Sequence, residues 1–235
     1  VTGVQTCALP ICLIMALTEM FELQKRLNDE TNGLNWELGT TKLGKEINWL
    51  RCIHMEVAEL IDSTPWKHWK NIGADCDMQN LQIELVDIWH FVMSFVLQEK
   101  NVPKSIALVG ASCNYDIAKD IDYKQIITES EKLSYIALTL QVNNITTDEA
   151  IKQLINQFFS CCRASGLTYE WLNKLYIGKN CLNKFRQDHG YKEGTYIKIW
   201  NGEEDNVCMV SLVDAMDTVS FDDLYSGLEE VYNKL

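Results

Sequence analysis

Leu81 to Leu97 reads LQIELVDIWHFVMSFVL, and Trp49 to Ser63 reads WLRCIHMEVAELIDS. In the first stretch Leu85, Val86, Ile88, Phe91, Val92, Phe95 and Val96 leave little surface for water, the pattern of a helix enclosed by protein. In the second, Leu50, Ile53, Val57, Leu60 and Ile61 recur at the spacing of one apolar helical stripe. The two stretches read as paired helices, and the chain is organised around them.

Each helix carries two carboxylates, Glu56 with Glu59 and Glu84 with Asp87, three residues apart. That spacing puts a pair on one face, about 5–6 Å apart at Cβ. Glu56 and Glu59 alone read as a solvated face. Glu84 and Asp87 do not, because they interrupt the most apolar helix of the chain, and an unpartnered buried carboxylate costs several kcal/mol. No basic residue is near them in sequence. Four facing carboxylates therefore suggest a divalent cation; all-oxygen donors suit Mg²⁺ or Mn²⁺ rather than Zn²⁺.

Composition narrows the function classes. A hydrophobic content of 47% is ample for a core, and a net charge of −12 argues against a general nucleic-acid binder. Nine cysteines without C-x-x-C spacing fit reduced thiols in a cytoplasm. Residues 1–14, VTGVQTCALPICLI, have no basic n-region, and Pro10 interrupts an apolar run too short to span a membrane. They read as a non-native leader, with Met15 as the start and no membrane anchor.

Further along, Leu17 to Asn28 has a helical period, with the amides of Gln24 and Asn28 one turn apart. Pro65 ends the first carboxylate helix, and WKHWK, Trp66 to Lys70, follows it. Asp75 to Gln79 reads as a loop. Helical patterns at Ile106–Asn114, Tyr123–Val142 and Thr147–Arg163 carry no catalytic cluster, with Pro103 and Asn143-Asn144 as connections. Another helix, Leu172 to Arg186, places Lys179, Asn183 and Arg186 on one face, before Gly190, Tyr191, Lys192 and Gly194. Such a face can hold phosphate, with Arg186 bidentate and Lys179 as a point charge. The end of the chain is acidic, with a last helix from Phe221 to Leu235.

Taken in order, Gln24-x-x-x-Asn28, E-V-A-E at Glu56 to Glu59, W-K-H-W-K, E-L-V-D-I-W-H-F at Glu84 to Phe91 and K-N-C-L-N-K-F-R-Q-D-H-G-Y-K at Lys179 to Lys192 resemble the dimeric dUTPase family. The resemblance runs from about Leu17 to Asn206 and implies an all-α helical bundle of the nucleoside-triphosphate pyrophosphatase type. On that pattern residues 15–102 and 166–205 form the catalytic core, 103–165 a helical insertion placed like a lid, and 206–235 an acidic helical tail.

The resemblance also implies a cytoplasmic homodimer that hydrolyses dUTP, and dUDP, to dUMP with Mg²⁺. Glu56, Glu59, Glu84 and Asp87 match its metal-binding carboxylates, with Glu56 orienting or deprotonating a metal-polarised water. Gln24 and Asn28 match the readers of the uracil edge, Trp66, Trp69 and His90 fall in the base-enclosing segments, and Lys70, Lys179, Asn183, Arg186, Tyr191 and Lys192 in the phosphate-binding ones. Related expectations are a phage-type enzyme that also takes dCTP and a broad MazG-like pyrophosphohydrolase. A non-enzymatic helical interaction protein would leave Glu84 and Asp87 without explanation.

Overall fold

The structure, a computed structural model, describes residues 11–70 and 73–235. Residues 1–10 of the expected leader lie outside the described residues, and Ile11 to Ile14 open the first helix. Nine α-helices are described: α1 (Ile11–Asn32), α2 (Trp49–Asp62), α3 (Met78–Glu99), α4 (Val102–Val109), α5 (Tyr123–Asn143), α6 (Asp148–Ala164), α7 (Tyr169–Asp188), α8 (Asp205–Asp214) and α9 (Phe221–Tyr232). The described β-structure is a small antiparallel pair, β1 (Ile199–Trp200) with β2 (Glu203–Glu204). The fold is an all-α bundle.

The enclosed helix read from the sequence is its axis. α3 packs against α1, α2, α4, α6 and α7 and buries Leu81, Leu85, Ile88, Trp89, Val92 and Val96. It is long and apolar enough to cross a membrane, but 78% of its most apolar window is covered by the other helices. Trp89 stacks on Phe158 of α6, with ring centroids 4.9 Å apart.

Helix ends follow local chemistry. The side chain of Asn48 accepts from Arg51 N at 2.9 Å to open α2, and Asp77 accepts from Asn80 N at 3.0 Å to open α3. That cap starts α3 at Met78, inside the expected loop. Pro103, expected in a connection, sits in the first turn of α4, where a missing N–H costs no hydrogen bond. α4 ends at Val109 and gives way to a 3-10 turn, Gly110–Ser112, short of the expected Asn114. α4, α5 and α6 lie against α1, α2 and α3 respectively.

α8 is a helix the sequence pattern did not single out. It packs on α7 at Gly178, where an added Cβ would stand 2.6 Å from Met209 Sδ and 2.8 Å from Val213 Cγ2. This close approach brings the acidic start of α8 beside the basic face of α7.

Candidate active site

α2 and α3 pack along their lengths, which turns Glu56 toward Glu84 and Asp87. One oxygen from each of the three lies within 4.8 Å of the others. Glu84 is buried, and Glu56 and Asp87 are half-buried. Glu59, a turn further along α2, is exposed and stands outside this trio.

The trio carries more negative charge than its surroundings balance. Burial, then Asp87, Glu59 and Glu84, push the Glu56 carboxyl up to about 8. Burial and Asp87 push Glu84 up to about 7, even though Asn80 Nδ2 donates to its Oε1 at 3.1 Å. Against the sequence expectation, a basic partner is present: α7 brings Lys179 Nζ to 2.8 Å from Asp87 Oδ2. Lys179 is 3% exposed and also donates to Asn206 Oδ1 at 3.0 Å. One ammonium for three carboxylates leaves the set suited to a hard divalent cation; the donors present fit one.

Asp87 also lines a cavity of about 430 Å³ with Asn28, Trp49, His90, Phe91, Asn183, Arg186, Tyr191 and Lys192. Its inner wall is a locked polar network. Ser94 Oγ donates to His90 O at 2.8 Å, so it accepts from Gln24 Nε2 at 2.9 Å and Asn28 Nδ2 at 3.0 Å. This fixes which end of each amide is nitrogen. Gln24 Oε1 then faces Tyr176 OH at 3.0 Å and His90 Nδ1 at 2.7 Å, so His90 carries its proton on Nδ1. The opposite nitrogen, Nε2, is a buried acceptor without a partner among the described residues. Burial pulls the His90 pKa down to about 4, keeping the ring neutral.

The network divides the two amides. Gln24, 2% exposed, has both ends engaged by protein and serves as an orienting group. Asn28 keeps one Nδ2 proton and one Oδ1 lone pair free of these bonds. Ser94 and Tyr176, which set this division, were not anticipated from the sequence, because a serine inside an apolar helix gives no positional signal. Trp49 and Phe91, stacked with centroids 6.0 Å apart, form the aromatic wall. Trp66 and Trp69 are instead 41% and 61% exposed on the α2–α3 connection, edge to face with each other, and do not line this cavity.

A second cavity, about 390 Å³, is lined by Glu59, Lys67, Lys70, Asn80 and Glu84 among others. Lys70 thus lines this cavity and not the one that Asn183 and Arg186 line. Arg186 corrects another expectation: its fork is taken by Asp205, with Nε to Oδ2 at 2.8 Å and Nη2 to Oδ1 at 2.7 Å. Nη1 is left as the outward donor, beside Asn183 Oδ1 at 3.4 Å. Tyr191 and Lys192 are exposed at the cavity edge.

No curated protein matches the chain. A family model described as dUTPase matches residues 16–191, well over half of the sequence and inclusive of both carboxylate helices and the basic end of α7. The chain belongs to the dUTPase family.

Proposed function

We propose that the protein is a Mg²⁺-dependent dUTP diphosphatase, with Mn²⁺ as a substitute, converting dUTP and water to dUMP and pyrophosphate, and dUDP to dUMP and phosphate. The observation that carries this reading is the position of Asp87, which lines the amide and aromatic cavity while an oxygen lies within 4.8 Å of Glu56 and Glu84. One residue joins a base-sized pocket to a cation-binding cluster.

In this reading the base enters between Trp49, Phe91 and the Asn28–His90 wall. Uracil offers acceptor, donor, acceptor along O2, N3–H and O4. Asn28 Nδ2 supplies a donor, and the bare His90 Nε2 accepts from N3–H. Cytosine has no proton on N3 and would leave His90 Nε2 unpaired, at about 1–3 kcal/mol. Glu56, Glu84 and Asp87, with Glu59 nearby, hold the cation. When bound, it neutralises phosphate oxygens and acidifies water. Glu56, whose carboxyl is pushed up further than that of Glu84 in the metal-free chain, orients and deprotonates the water that attacks the β-phosphorus. Arg186 Nη1, Asn183, Tyr191 and Lys192 bind phosphate oxygens, while Lys179 is held in reserve on Asp87.

A homodimer in the cytoplasm, where the thiols stay reduced, belongs to the same proposal. Leu34, Leu38 and Leu43, 79%, 82% and 89% exposed on the loop after α1, support an apolar contact between copies.

The test is pyrophosphate release from each deoxynucleoside triphosphate, with and without Mg²⁺. The expected result is metal-dependent turnover with a kcat/KM preference of about a hundredfold for dUTP over dCTP. Equal use of dCTP would move the protein to a dual-specificity activity, and turnover of all bases alike to a broad pyrophosphohydrolase.

A further inference from the structure

We propose that Asp205, the first residue of α8, is a positioning residue that presents Arg186 to the substrate. Asp205 lies beyond the residues matched by the family model, which end at Tyr191. It is fully buried and lines neither cavity, so it acts through its neighbour. The inference rests on the phosphate role of Arg186 in the proposed function.

The contacts of Asp205 leave little freedom. Both oxygens engage the Nε and Nη2 edge of Arg186, and Oδ2 also accepts from Tyr196 OH at 2.7 Å. The Asp205 amide donates to Lys198 O at 3.0 Å, tying the carboxylate to the β-hairpin. Its place in the first turn of α8 suits a negative charge. A guanidinium held by one edge can move only as a unit with this support. Its remaining Nη1 edge is turned to Asn183, which lines the cavity. The charged carbon of Arg186 also stands 5.8 Å from the centre of the Tyr191 ring.

Without Asp205, the long side chain would have to be ordered at each binding event, which weakens ground-state binding before it alters chemistry. The adjacent Asn206 accepts from Lys179, so the start of α8 contacts both Lys179 and Arg186 of α7. α8 thereby supplies the fixed side of the phosphate-binding face.

The experiment compares Asp205→Asn, Tyr196→Phe, Arg186→Lys and the double variant Asp205→Asn/Arg186→Lys in full-length protein, by steady-state dUTP hydrolysis and thermal melts. Asp205→Asn is expected to raise KM about tenfold with kcat changed less than about threefold, and Tyr196→Phe to raise KM about two- to threefold. The double variant should match Arg186→Lys within about twofold, because Asp205 acts only through Arg186. A lowered melting temperature with unchanged KM, or losses that multiply in the double variant, would overturn the proposal. If Asp205→Asn does not fold, Tyr196→Phe decides it, and an unchanged KM there overturns it. Normal hydrolysis by Arg186→Lys would instead overturn the phosphate reading beneath it.

Discussion

At the scale of single residues, Glu84 and Asp87 share a helix and a charge but not a setting. Glu84 has Asn80 and like charges around it, and Asp87 has the ammonium of Lys179. Glu84→Gln should therefore stabilise the metal-free protein by about 1 kcal/mol, a rise of roughly 2–4 °C in melting temperature. Asp87→Asn should do the reverse, costing about 1–3 kcal/mol, because it leaves a buried ammonium with Asn206 alone. Both should abolish most Mg²⁺-dependent hydrolysis. Melting curves in chelator with parallel pyrophosphate assays check this; equal shifts for the two variants would refute the asymmetry. Lys179 itself competes with a cation for Asp87. Lys179→Met should tighten metal binding by the free protein about tenfold, worth ~1.4 kcal/mol, while weakening turnover. Mn²⁺ titration calorimetry reads that directly, and unchanged affinity would mean the ammonium does not oppose the metal.

At the scale of elements, the decisive contact is α7 on α8. Gly178 has no room for a side chain, with Met209 and Val213 both fully buried beneath it. Gly178→Ala should cost about 1–3 kcal/mol by overpacking and push α8 away from α7. Since α8 carries Asp205 and Asn206, KM for dUTP should rise along with the loss of stability. Chemical denaturation and kinetics on one preparation test this, and a destabilised variant with normal KM would separate α8 from the site. The α7 surface needed for this docking is hidden in the sequence: Gly178 lies inside a helix, where glycine normally only weakens it.

At the scale of the whole molecule, burial of unbalanced charge sets the pH response. Glu56 and Glu84 have folded-state pKa values of about 8 and about 7, above the ordinary carboxylate value. Their unfolded forms ionise first as pH rises, so stability is full below about pH 4.5 for these groups and is lost toward pH 8. His90 is shifted the other way, to about 4, so its contribution is present above about pH 6.5 and is lost as pH falls toward 4. On these three groups the metal-free protein should be most stable near about pH 4–4.5, because from there to about pH 6.5 two raised carboxyls outweigh one histidine, and Mg²⁺ should flatten the decline above it. Melting temperatures from pH 4 to 9, in chelator and in Mg²⁺, check both arms. An unchanged alkaline arm on adding Mg²⁺ would place the cation elsewhere.

Apolar periodicity by itself determined the carboxylate helices, because burial imposes a 3.6-residue spacing that composition cannot hide. The i, i+3 spacing of Glu56 with Glu59 and of Glu84 with Asp87 likewise put each pair of carboxylates on one helix face, and the ordered motifs marked the family. What they could not mark were pairings between residues far apart in the chain. Lys179 reaches Asp87 across 92 positions, Ser94 fixes the amides of Gln24 and Asn28 from about 70 positions away, and Asp205 takes the fork of Arg186 from an acidic stretch that carried no site motif. The aromatic wall came from Trp49 and Phe91 rather than Trp66 and Trp69, since which indole faces a cavity depends on how helices pack. Spacing along one helix is set by local geometry. Which charge meets which, and which end of an amide points inward, is set only when the helices close on one another.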